Sequence, residues 1–372
     1  MIRMMRGLAL LGPALLPGIV RAQTPQNPLN LFVAELKREG GRLTIGTPRN
    51  LTGDRGRNSQ PAFSPDGRSI VFSAVRDSTG QGDVYKIDLK SGIEVRVTHT
   101  AENENSPTLG ENGELVAVRW VPATLFREWG LWVYSADGTP VRGVLPGPDT
   151  VGYYNRVDAD TWALMRPKTR AAVAIFDAKQ GTTKDIDWPV ANLPPQVIPG
   201  ARAISYTKID SLGRNELRRF DLTGEPRSLG RTVLGRRVHA WMPDGTILMA
   251  KGNVVYGRRA TGDTTWRRLA TFSGPELQDL TAYVVNRDGT RLILTSPRRP
   301  SLATVLRDKV EAGGTMADAV ASVRKARGAG TTDAWFFSEQ DLTALATARS
   351  RLGFPADSVL LGDLAAELQR NR

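Results

Sequence analysis

The chain has 372 residues, of which 40% are apolar and 24% charged, with a formal charge of +12 at neutral pH. Those fractions exclude a disordered polymer and a multi-span membrane protein, and the length allows one large domain plus a smaller one. Cysteine is absent, which excludes disulfides and a cysteine-linked lipid anchor, so stability has to come from packing and from closure of the fold.

The first residues read as an export signal. Arg3 and Arg6 form a basic start, Gly7–Val20 is apolar but interrupted by Pro13 and Pro17, and Val20-Arg21-Ala22 offers small residues to a signal peptidase. Residues 1–22 are therefore expected to be removed, leaving a periplasmic or secreted chain without a transmembrane segment. Losing Arg3, Arg6 and Arg21 lowers the charge from +12 to +9. A basic exported protein suits an acidic protein partner or an anionic envelope polymer or lipid rather than nucleic acid.

Strand alternation starts at Leu31–Lys37, turns at Gly40-Gly41 and returns along Arg42–Thr47. Asn58–Thr98 then writes out a complete unit of four short strands: Pro61–Ser64, Ser69–Ala74, Val84–Leu89 and Glu94–Thr98. Pro65-Asp66-Gly67 punctuates it with a fixed φ followed by a residue free to take φ > 0. One such sheet cannot bury both of its faces, so it needs a neighbour on each side. The unit recurs from Asn105, Tyr153, Pro195 and Arg237, at about 41–48 residues, the period of a propeller blade. A last copy, Asp279–Ser296, has only two strands before Pro297 and Pro300. Pairing it with the N-terminal hairpin closes a ring, which predicts an all-β, six-bladed β-propeller over 29–298.

From Ser301 the period becomes helical, with Leu302, Val305, Leu306 and Val310 on one face. Thr315–Asp318 has capping-box spacing before Ala319–Arg327, and Ser338–Asp341 precedes Leu342–Leu352, which Gly353 and Pro355 are expected to stop. Val359–Leu368 completes a small α-helical C-terminal region over 301–372.

The Pro-x-Phe-Ser-Pro-Asp-Gly run at Pro61–Gly67, echoed at Trp241–Gly245, resembles the WD-like repeat of TolB-type propellers. The same repeat occurs in the propellers of prolyl-oligopeptidase-like peptidases. The resemblance covers roughly Asn30–Ser296 and implies the fold more specifically than a function. TolB carries an α/β domain ahead of its propeller, and here a helical tail follows instead. The repeats are TolB-like without the chain being TolB.

Chemistry is sparse. G-x-S-x-G, H-E-x-x-H, a P-loop and an EF-hand loop are all missing, and His99 and His239 are the only histidines. The residues at the start of each inner strand and in the loop after the second strand are expected to face the central funnel. They are Asn58, Gln60, Arg76, Asn105, Trp129, Tyr153, Tyr154, Asn155, Arg237 and His239, with Asp77 and Glu128 among their neighbours. Amides, aromatics and cations suit recognition of a protein or peptide. Converging carboxylates, which a metal or a two-acid reaction wants, are few. The expectation is thus a non-catalytic binding propeller with no cofactor and no metal. The alternatives are a metal-dependent propeller enzyme of lactonase or polysaccharide lyase type, or a regulatory propeller for a separately encoded peptidase. Trp335 is expected to be an exposed contact, and the Pro-Asp-Gly turn a marker of fold facing away from the funnel.

Overall fold

The computed structural model describes residues 27–76, 79–120, 129–145, 150–262, 264–311, 313–329 and 335–370. The expected signal peptide, Asp77 and Glu128 lie outside these residues.

The unit beginning at Asn58 folds as four antiparallel strands, Arg57–Phe63, Ser69–Val75, Gly82–Asp88 and Glu94–Arg96, in sequence order. Its second strand shows why it needs company. Ile70, Phe72 and Ala74 join a buried cluster with Leu31 and Ile293, while Val71 on the other face packs with Leu115, Ala117 and Tyr134 of the following sheet. Alternation at period 2 thus feeds two different cores, and burying one such large side chain contributes about 1.5–3 kcal/mol.

Four more four-stranded antiparallel sheets follow in chain order, spanning Asn103–Gly143, Tyr153–Asp187, Gln196–Arg231 and Ala240–Thr271. The remaining strands close the array as the alternation predicts. Leu29–Glu39 pairs antiparallel with Arg291–Pro297, from Leu29↔Pro297 to Glu35↔Arg291, and its other edge takes Arg42–Ile45. Ala282–Val285 lies on the far side of Arg291–Pro297. A single parallel pair, Leu29↔Arg57, joins this closing group to the first unit.

The Pro-Asp-Gly turn is built from its own side chains. Ser64 Oγ donates to Asp66 Oδ1 at 2.6 Å, the amide of Arg68 donates to the same oxygen at 3.0 Å, and Gly67 takes φ 65°. These bonds hold the Asp66 carboxyl below its ordinary range. Ser135-Ala136-Asp137-Gly138 repeats the design, with Gly138 at φ 81° pressed onto the backbone of Val97.

Beyond Ser301 the chain forms α1 (Leu302–Glu311), α2 (Met316–Gly328), α3 (Glu339–Arg351) and α4 (Pro355–Gln369). The capping box at the head of α2 is present, with Asp318 N donating to Thr315 Oγ1 at 3.1 Å, and Ser338 caps α3. Pro355, expected as a stop, instead opens α4 four residues ahead of Val359, because a first-turn proline lacks only an N–H that has no intrahelical partner. The helices share one core around Leu306, Val320, Leu342 and Leu361.

A side chain at position 138 would collide with the carbonyl of Val97, whereas Gly224 has the same sign of φ and nothing within 4 Å of an added Cβ. Gly138→Ala should therefore cost about 3 kcal/mol and Gly224→Ala about 1 kcal/mol, read from urea unfolding midpoints. Equal losses would show that the Val97 contact is not tight.

Candidate funnel-face site

In an antiparallel unit the start of the first strand, the end of the second and the start of the third lie in one row. Asn103, Trp120 and Trp129 form such a row, as do Arg57, Val75 and Gly82. The candidate residues belong to this end of the sheets, and the structure divides them by what their polar atoms already hold.

Three are buried, which corrects their assignment to a contact surface. Asn58 is 0% exposed; its Nδ2 donates to the carbonyls of Leu29 (2.8 Å) and Arg55 (3.1 Å), and its Oδ1 accepts from Arg76 Nη1 at 2.6 Å. Tyr154 donates its hydroxyl to the carbonyl of Val116 at 2.8 Å, beside Thr108 Oγ1, and burial pushes its pKa up. His239 packs with Nε2 2.8 Å from Ser205 Oγ, which also accepts from Trp241 Nε1 at 2.8 Å. Burial pushes the His239 imidazole down to about 4. Arg76 is committed as well. It reaches Glu94 at 2.9 Å and lies 4.7 Å over the Tyr85 ring, so it fastens the first unit to itself.

These bonds share a purpose. At each junction between consecutive sheets a polar group near the axis reaches its neighbour: Gln60 Oε1 accepts from the Ser106 amide (2.7 Å), and Asn155 Nδ2 donates to the Pro195 carbonyl (2.6 Å). Thr207 Oγ1 donates to the Arg237 carbonyl (2.6 Å), and Tyr283 donates to that of Val238. The amides read as ligand contacts largely clasp one sheet to the next. Sequence reasoning missed Ser205, Thr108 and Tyr283. Tyr283 had a signal, since it is the second residue of its inner strand, as Tyr154 is of its own. Glu104 was also missed. It is 0% exposed, burial raises its pKa, and its Oε2 has no hydrogen-bond partner.

Ser205 beside His239 has the distance of a nucleophile and base, but Ser205 is 0% exposed and its hydroxyl oxygen already accepts from Trp241. A substrate carbonyl has no approach to it. Among the described residues no group of three or more histidines and carboxylates is placed to hold a metal ion. No described helix is long and apolar enough to cross a membrane.

The candidates that are not buried are Gln60, Asn105, Trp129, Tyr153, Asn155 and Arg237, of which Gln60 and Asn155 each already commit one polar atom to the next sheet. Gln60 and Ser106 hold φ of 54° and 52° at matching bulges, each ahead of a proline, so two non-glycine residues are locked in the left-handed region beside the axis. Trp129 is half-buried, its ring 5.8 Å from that of Trp120 at 60°. Tyr153 packs its ring against the core between the third and fourth sheets, and Asn105 is half-buried. Arg237 is exposed, its Nε donating to Asn215 Oδ1 at 3.2 Å. Trp335, expected at the surface, is 8% exposed in the core of the helical region.

The helical region sits on this same end. Arg236 lies 3.5 Å from both Asp279 and Asp308 of α1, Lys251 pairs with Glu311 of α1, and Leu352 approaches Gly213. Helices therefore contact the last sheets at the end where the first three keep Gln60, Asn105 and Trp129.

Because folded His239 stays neutral to about pH 4 while an unfolded imidazole protonates near 6.5, its contribution is complete above pH 6.5 and is lost as pH falls toward 4. Stability should drop by about 2–3 kcal/mol between pH 7 and 4.5 from this residue alone. His239→Gln should flatten that slope in urea titrations, and an unchanged slope would count against a neutral buried imidazole.

No protein-family profile matches the chain. An uncharacterized protein of Agrobacterium fabrum is 30% identical over 107 residues, 27% of this chain and 32% of the relative, so the chain spans about a third of the length of that curated relative. Among solved structures, one from Agrobacterium tumefaciens, assigned provisionally as TolB, is similar at a TM-score of 0.53 and 12% identity, covering 72% of this chain and 98% of that one. A chain of the nidogen–laminin complex is similar at 0.51 and 9%, covering 73% and 99%. Identities this low carry architecture alone. The chain has the TolB-like β-propeller fold, and it is not TolB itself.

Proposed function

We propose that this chain is an exported, non-catalytic, six-bladed propeller that binds a protein or peptide partner on the open part of its funnel face. In this reading residues 1–22 are removed, 29–298 form the ring, 301–372 form the helical region, and the protein works in the periplasm or outside the cell. The observation that supports it is the pairing of Trp120 with Trp129 in the second unit, at the end of the sheets that also carries Gln60, Asn105 and Asn155. Rigid aromatics give contact area at little entropic cost, and aromatic anchors dominate binding energy at interfaces. The net positive charge favours an acidic partner, or an anionic envelope polymer or lipid held alongside it. A metal-dependent lactonase or lyase would draw on acids at this end, and Asp279, Asp308 and Glu311 are engaged by Arg236 and Lys251.

A photo-crosslinking residue at position 129 should trap one dominant protein from the native cell envelope, while the same probe at Val141, 60% exposed on an outer strand, should not. Trp129→Ala should weaken capture about tenfold or more at unchanged melting temperature. Equal trapping at both positions would refute this placement of the site.

A further inference from the structure

Three turns at the end of the molecule where helices meet sheets are built alike. Leu212-Gly213, Leu234-Gly235 and Leu352-Gly353 each set a leucine before a glycine whose φ is 74°, 75° and 89° respectively. The left-handed glycine reverses the chain, and the leucines before it remain 58%, 68% and 48% exposed. They come from different elements. Leu212 lies in the hairpin between Ile204–Ile209 and Asn215–Phe220, Leu234 follows the strand Arg227–Arg231, and Leu352 joins α3 to α4. The fold gathers them. A Cβ at Gly213 would lie 3.3 Å from Leu352 Cδ2, and Arg237, just past the second turn, reaches Asn215 Oδ1 beside the first at 3.2 Å. Phe354, also exposed, follows Leu352 with the Arg349 guanidinium 4.1 Å from its ring centre.

Arginine accompanies each of these tips. Arg214 and Arg231 share Asp210, Arg349 takes Asp357, and Arg236 is engaged by Asp279 and Asp308. Arg237 and Arg351 are exposed and have no carboxylate partner among the described residues. Together the segments 210–215, 231–237 and 349–359 carry six arginines against two aspartates. One exposed leucine is ordinary on a protein surface, but apolar tips from three segments that touch, in a positive setting, mark an interaction surface. Like charge opposes a second copy of the same face. Separate apolar tips suit a surface that yields around each of them.

We infer that this face docks on an anionic phospholipid surface, with Leu212, Leu234, Leu352 and Phe354 entering the headgroup region and Arg237 and Arg351 meeting the phosphates. Apolar side chains contribute by the area they remove from water, and each arginine near an anionic surface adds an electrostatic contribution of its own. The two act together, so neither has to suffice alone. The inference goes beyond the partner site at Trp129 of the second sheet and does not depend on it.

The test sediments the mature full chain with vesicles of phosphatidylcholine alone, or of phosphatidylcholine with one part in three of phosphatidylglycerol. Affinity for the mixed vesicles should be about tenfold higher or more, and the excess should shrink as salt is added. Leu212→Ser, Leu234→Ser and Leu352→Ser combined should weaken it about tenfold, and Arg351→Gln about fivefold, at unchanged melting temperature. Val95→Ser with Val141→Ser, at exposed positions on the outer strands of the first two sheets, should leave it as it was. Equal affinity for both kinds of vesicle overturns the anionic surface. Binding that survives the triple substitution overturns the assignment to these turns. Self-association without lipid that the triple substitution abolishes gives the face to a second copy and overturns the inference. No sedimentation with either vesicle overturns it outright and leaves the reading of Trp129 standing.

Discussion

Everything in this protein depends on sheets that are apolar on both faces. Ser69–Val75 sends Phe72 one way and Val71 the other, into separate cores, and Thr246–Lys251 does the same with Leu248 and Ile247. A sheet of this kind has no stable existence alone, so each requires the next, and a row of them is satisfied only when the last meets the first. The strand Leu29–Glu39 meets that requirement by completing the group at the other end of the chain.

Most of the architecture was legible because it is written in local chemistry. The Pro-Asp-Gly turns, the period-2 runs and the change to helical spacing at Ser301 survive folding unaltered, since each is decided within a few residues. The N-terminal hairpin was placed by its length and alternation alone. Boundaries slipped where a cap or proline could act in either sense, as Pro355 did.

The candidate site was legible only in location. Position along a repeat says which end of a sheet a residue occupies, but the partner of its polar atoms comes from a different repeat some 40 residues away, and nothing local encodes that. Asn58, Tyr154 and His239 were placed at the right end and given the wrong task, because an amide that clasps a neighbouring sheet and one that greets a ligand look alike in sequence. Where the C-terminal helices rest on the sheets was invisible for the same reason. Asp308 and Glu311 belong to an ordinary amphipathic helix until Arg236 and Lys251 are seen beneath them.

The closing pair Leu29↔Pro297 also sets a timetable. Leu29–Glu39 is among the first strands made, yet its antiparallel partner leaves the ribosome only after some 260 further residues. Bringing the ends of so long a segment together costs on the order of 5 kcal/mol in loop entropy, which must be met before the contact returns anything. Until then the edge of Leu29–Glu35 that faces Arg291–Pro297 waits without its partner. Such a chain gains from being kept unfolded until all of it is present, and a protein threaded through a membrane as an extended polypeptide and released whole on the far side meets that condition by its route alone.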